Sequence, residues 1–163
     1  MGRKSTRENK NIYQLSREAS GLTREKAAGL LYLSPDRIEQ IEYDKSVPHP
    51  DEILAMAKCY KAPLLYNYYC THQCSIGKEC ISEVRVRDLS QITLQTLASL
   101  NALEQEKNRL IEITVDGTIS PDEMNDFERI EAQLSEISQA VDSLRIWVQQ
   151  AIADGRIARP AED

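Results

Sequence analysis

Aromatic residues are scarce in this 163-residue chain, only 6%, with one Phe and one Trp beside seven Tyr. Glycine and proline supply six residues each and histidine two. So few ring and turn residues argue against the many short, tightly turned strands of a sandwich or barrel. Long apolar runs are also missing: none approaches the roughly 18 residues of a membrane span. The amino terminus, MGRKSTRENK, has no apolar stretch of the kind a secretory signal needs, so the expectation is a soluble, cytoplasmic protein. Four cysteines in that compartment read as free thiols or metal ligands before structural disulfides. What is present is 41% hydrophobic residues, enough to bury a core, and 28% charged ones. Together they predict an all-α protein.

The net charge of −6 hides an asymmetry. Residues 1–62 carry 11 Lys/Arg against 9 Asp/Glu, and residues 63–163 carry 9 against 17, so the halves stand at +2 and −8. Within residues 1–10, Arg3, Lys4, Arg7 and Lys10 face only Glu8. This reads as a basic arm able to meet phosphates, or as an ordinary solvated tail.

Residues 11–66 carry dense punctuation. Ile12, Leu15 and Ala19 fall at helical spacing and Gly21 follows where a left-handed stop belongs. Thr23 caps a second helix, whose buried face is Ala27, Ala28, Leu30 and Leu31. After Tyr32 and Leu33, the run Ser34-Pro35-Asp36 combines a cap, a first-position proline and a first-turn acid. Ile38 and Ile41 turn that third helix inward, leaving Pro35, Asp36, Arg37, Glu39 and Gln40 outside. A fourth helix starts at Pro50-Asp51-Glu52, and Pro63 opens a fifth beginning Leu64-Leu65-Tyr66.

Thr23-x-Glu25-x-Ala27-Ala28, then Leu33-Ser34, Ile38, Ile41-Glu42, Lys45 and Pro48, followed by Ile53-Leu54 and Ala57, resembles the XRE family of lambda-repressor-like helix-turn-helix domains. The likeness covers about one third of the chain. It implies that the third helix enters the major groove with its first residues on base edges while the second crosses the backbone. The positions it assigns to DNA are Thr23, Arg24, Ser34, Pro35, Asp36, Arg37, Glu39, Gln40 and Lys45, with Arg24 facing phosphate. Arg37 can donate two bonds to guanine and Gln40 can pair with adenine, whereas Asp36 and Glu39 repel phosphate. Tyr32 and Asp44 stand where the family usually has glycine, and a tyrosine fits the first of these turns only if it is reshaped or strained.

Cys70, Cys74 and Cys80 follow a C-x3-C-x5-C spacing, with His72 among them and Cys59 one helix earlier. A fifth helix running to Gln73 would set Cys70 and Cys74 one turn apart on one face, able to share a zinc with Cys80. Packed or free thiols and a redox pair are the alternatives. Tyr66, Tyr68 and Tyr69 have no interleaved Lys or Arg and read as packing before base stacking.

From Asp88 to Val115 there is no Pro or Gly, and Leu89, Leu97, Leu100, Leu103, Leu110 and Ile111 form a stripe. Asp116-Gly117 breaks it, and Ser120-Pro121-Asp122-Glu123 restarts a helix with a capping box. Phe127, Ile130, Leu134, Ile137, Val141, Leu144 and Val148 then alternate by three and four, a coiled-coil seam. Two long helices with so short a connection predict an antiparallel hairpin. Ile146 and Trp147 extend its apolar surface and are candidates for a second subunit.

The expected organisation is therefore a basic arm over 1–10, a five-helix helix-turn-helix domain over 11–69 and a cysteine-bearing connector over 70–87. A hairpin for dimerisation or partner binding follows over 88–153, then a tail over 154–163. The expected function is a sequence-specific transcriptional regulator that binds double-stranded DNA as a homodimer, without cofactor, membrane contact or catalysis. His49 and His72 have no recognisable nucleophile partner, and His49 before Pro50 reads as a helix start. The alternatives are a thiol- or metal-responsive regulator and a degenerate helix-turn-helix protein interaction module that does not bind DNA.

Overall fold

Side-chain caps set most helix starts in the computed structural model, which describes residues 9–84 and 88–158. Eight α-helices and no strand occur among the described residues. In α1 (Ile12–Ala19) the Asn11 side chain accepts the Gln14 amide at 3.0 Å. Thr23 does the same for α2 (Arg24–Leu31), and Ser34, followed by Pro35, for α3 (Pro35–Glu42). His49 is the N-cap of α4 (Pro50–Cys59), where the Glu52 carboxylate accepts the His49 amide at 2.7 Å. Two further helices, α5 (Leu64–His72) and α6 (Ser75–Cys80), complete the amino-terminal part. The long helices are α7 (Leu89–Thr114) and α8 (Met124–Ala153). No helix among the described residues is long and apolar enough to cross a membrane. Arg3, Lys4 and Arg7 of the expected basic arm lie outside the described residues, as do residues 159–163 of the tail.

The contacts divide the chain into two units, residues 1–83 with 149–163, and residues 84–148. The first, the head, has its core in Tyr13, Ala27, Ala28, Leu31, Ile38, Ile41, Ile53, Met56, Ala57, Tyr60 and Leu65. Small alanines on α2 let α3 and α4 approach closely, which is what a steep helix crossing needs. Leu30, expected on the buried face of α2, is exposed instead, because Ala27, Ala28 and Leu31 centre that face roughly 100° around the helix from it. Tyr66, Tyr68 and Tyr69 pack against the core, and Tyr13 meets Tyr68 edge to face at 5.9 Å.

The connector differs from a single extended fifth helix. The α5 helix stops at His72, and Cys74 is the N-cap of α6, its sulfur accepting the Gly77 amide at 3.4 Å. Cys70 and Cys74 are therefore not one turn apart on a common helix face. A Cβ at residue 77 would lie 2.3 Å from the Cys70 carbonyl oxygen, so only glycine lets α6 lie this close to α5.

In the second unit, α7 and α8 form an antiparallel hairpin. Its register is read from Arg109–Asp126 at 2.7 Å and Arg129–Glu106 at 3.0 Å, which cross from helix to helix. Ser120 and Glu123 make the expected cap, but Pro121 to Glu123 form a turn of tighter pitch, and the α-helix starts at Met124. Ile92, Ser99 and Ile113 on α7 and Ile130 and Ala140 on α8 are buried. The predicted stripes are only half used: Leu97, Leu100, Ile111, Leu134 and Val141 stay exposed. Ile146 and Trp147 are half-buried.

Candidate nucleic-acid interface

Helix α3 is held from behind. Ile38 and Ile41 lie in the core, and Glu42, four residues after Ile38, falls on the same inward side. A carboxylate only 1% exposed must find cations, and two helices provide them. Arg17 of α1 grips Glu42 through Nε and through Nη2 at 3.1 Å, and its Nη1 donates to the Leu22 carbonyl at 2.7 Å. Arg24 of α2 donates to the same carboxylate at 3.1 and 2.9 Å and to Glu39 at 2.8 Å. The guanidinium of Arg24 also lies 5.3 Å from the centre of the Tyr43 ring. Burial alone would lower the Arg24 pKa, yet the bonds to Tyr43 and Glu42 raise it. The cluster thus fixes α1, α2 and α3 together through one buried acid.

The turns on either side of α3 keep a left-handed conformation without glycine. Tyr32, between α2 and α3, has φ 55° and ψ 36° and is 95% exposed. Its amide and that of Leu33 both reach the Ala28 carbonyl, the bonding of a left-handed helix stop. The turn is strained and not reshaped. Asp44, after α3, has φ 56°, and its carboxylate accepts the Asn11 Nδ2 at 2.9 Å, while that nitrogen also donates to the Ile41 carbonyl at 2.7 Å. A short polar side chain bonded in this way tolerates the left-handed region, which explains how Asp44 replaces glycine.

Arg37 turns away from the open side of α3. It donates to Glu52 at 2.8 and 2.6 Å, to Ser46 Oγ at 2.6 Å and to the Val47 carbonyl at 3.1 Å, joining α3 to the 44–49 loop and to the start of α4. The bond from Arg37 holds the Glu52 carboxyl below its ordinary range, against the opposing effect of burial, and the His49 amide adds to it. Pro35, Asp36 and Gln40 are exposed, as are Ser34 before them and Lys45 after them. Glu39 is part-buried against Arg24, and Thr23 is part-buried with its hydroxyl used as the α2 cap. Lys45 lies 5.5 Å from the Tyr43 ring, and neither it nor Lys26 makes an ion pair among the described residues.

The nine residues assigned by resemblance thus gather on the α2–turn–α3 segment and the loop after it. Six present themselves openly or cap a helix; Glu39 is held part-buried by Arg24, and the two arginines are bound inside the head. Sequence reasoning missed the partners that hold the segment in place, Asn11, Arg17, Tyr43 and Glu52. One signal was available, since Arg17 follows core Tyr13 by four residues as Glu42 follows Ile38, placing opposite charges on two inward faces.

The cysteines form no comparable site. All four are free thiols, with Cys59, Cys70 and Cys74 partly buried and Cys80 exposed. Among the described residues no three His, Cys, Asp or Glu side chains gather to hold a metal ion. Burial pushes the Cys59 and Cys70 thiols up, and Cys74 adds to the effect on Cys70.

Residues 14–64 match a family model described as a helix-turn-helix domain, a stretch from within α1 to the first residue of α5. No curated protein and no solved structure matches the chain.

Proposed function

We propose that this chain is a cytoplasmic, non-enzymatic transcriptional regulator of the XRE type that binds a specific double-stranded DNA sequence as a homodimer. The observation that carries the reading is the rigid mounting of α3 within a matched helix-turn-helix domain, its inner face locked by Glu42 and its amino-terminal outer face open. In this reading Gln40 pairs with adenine in the major groove, and Asp36 accepts from a cytosine or adenine amino group. Lys26, Lys45 and the amides at the starts of α2 and α3, behind Thr23 and Ser34, meet phosphates together with the 1–10 arm. Pro35 and Glu39 flank the base-facing edge. Arg24 and Arg37 act as positioning residues, since their donors are committed to Glu39, Glu42 and Glu52.

One observation favours a second reading, a helix-turn-helix head that recognises protein. Both guanidiniums of the motif are neutralised internally and Asp36 is exposed, which leaves a thin cationic surface. Selection by the full chain from a random duplex pool separates the two. Enrichment of one motif with two related half-sites supports the regulator; absence of any enriched motif at low salt supports the interaction module.

A further inference from the structure

We propose that the exposed apolar face of the α7–α8 hairpin is covered by a second copy of the same hairpin, making a four-helix bundle that joins two heads. The proposal rests on the dimeric reading above and assigns its surface.

The hairpin buries the smaller share of its own apolar stripes. Between its helices lie Ser99, Ala140 and the two charged cross-helix pairs, alongside Ile92, Ile113 and Ile130. Leu89, Leu97, Leu100, Leu134, Val141 and Leu144 are left 40–53% exposed. At 3.6 residues per turn, Leu89 and Leu100 follow the buried row of α7 by roughly a quarter to a third of a turn, with Leu97 beyond them at the outer edge, and Leu134 and Val141 follow that of α8 by roughly a fifth, in the same rotational sense. Because the helices run in opposite directions, equal senses place both rows on one side of the hairpin. The result is a single face two helices wide, whose α8 row keeps the seven-residue spacing of a bundle seam.

Area and charge select a copy of this chain as the occupant. The six side chains leave on the order of 500 Å² of apolar surface open, within the range of the largest patches on functional monomer surfaces. Two copies therefore cover about 1,000 Å² of apolar surface, and the rims bring the total into the class of stable interfaces. Residues 88–148 carry four Lys/Arg against twelve Asp/Glu, so two hairpins repel over most of their surface. This face is the exception, because its rim charges are already paired, Lys107 with Glu104 at 3.3 Å and Arg145 with Asp142 at 3.6 Å. A basic partner would be drawn to the unpaired acidic sides of the hairpin instead.

The test is sedimentation of the full chain without DNA at micromolar concentration. The wild type should be a dimer. Leu100→Glu with Val141→Glu should raise the dissociation constant at least about 100-fold, since four charges would be buried at the bundle centre. Ala98→Glu, at an exposed residue two positions before Leu100 and therefore roughly 160° from it around α7, should leave the dimer intact. Circular dichroism checks helicity, and Leu100→Ser with Val141→Thr gives the same ordering should the charged variant unfold. A monomeric wild type, or a dimer that survives both face variants, overturns the proposal. A monomer that still enriches one unrepeated half-site refutes this face but keeps DNA reading; a dimer that enriches no motif keeps the face and refutes DNA reading.

Discussion

Replacing Arg37 by methionine removes a guanidinium that makes four hydrogen bonds, two to Glu52 and one each to Ser46 and the Val47 carbonyl. Each charge-assisted bond contributes up to about 1.5–3 kcal/mol where it is fully shielded. The Arg37 and Glu52 side chains are 20% and 12% exposed, so solvent screens the pair and the net figure is far below the sum. Glu52 also keeps the His49 amide when Arg37 is gone, which limits the penalty of an abandoned carboxylate. The expected loss for Arg37→Met is about 2 kcal/mol, a fall of about 1 M in the urea midpoint of the head. A cycle with Glu52→Gln should return a coupling of about 1 kcal/mol, because both changes remove the same contact. Selection by Arg37→Met should return the wild-type motif with weaker affinity, the behaviour of a positioning residue. Refutation would be an unchanged urea midpoint together with relaxed preference at one guanine, for then the guanidinium leaves Glu52 to read a base.

Three further outcomes follow from the same contacts. Tyr32→Gly should stabilise the head by about 1 kcal/mol in thermal unfolding, because the left-handed strain at φ 55° is relieved and a ring 95% exposed loses no packing; destabilisation would show that the ring has a hidden partner. Since the Glu52 pKa is lowered in the fold from its ordinary 4.5, its contribution is fully present above that value and is lost as pH falls through the lower folded one. Glu52→Gln should therefore flatten the acid limb of the stability profile, and an identical limb would deny the ion pair a role. Cys80 should react first with a disulfide reagent, ahead of Cys59 and Cys70, whose thiols burial pushes up; retention of the fast phase in Cys80→Ser would contradict this order.

What could be read from the sequence was what lies within a few residues of its cause. Thr23, Ser34 and Asp88 stand at helix starts because the side chain of each accepts an amide three residues on, and Pro35 and Pro50 because their fixed φ suits a first helical position. Gly21 announces a stop because its φ of 72° suits few other residues. Arg37 escaped the same logic, since Glu52 lies 15 residues away and is brought near only when α4 folds back on α3. The α6 helix escaped it too, because its cap is a cysteine sulfur and its packing depends on the one close approach at Gly77. On the hairpin the periodicity located the stripes correctly but not their rotation, which leaves half of each stripe open.

The central claim is that the open edge of α3 reads bases, and Gln40 is the residue on which it turns. The most direct measurement is the affinity of wild type and Gln40→Ala for the selected duplex and for every single-base variant of it at one fixed salt concentration. The account predicts that Gln40→Ala loses about 1–3 kcal/mol of discrimination at one adenine in each half-site and leaves the other positions and the thermal midpoint unchanged. A uniform loss across all variants, or none at any position, would contradict it.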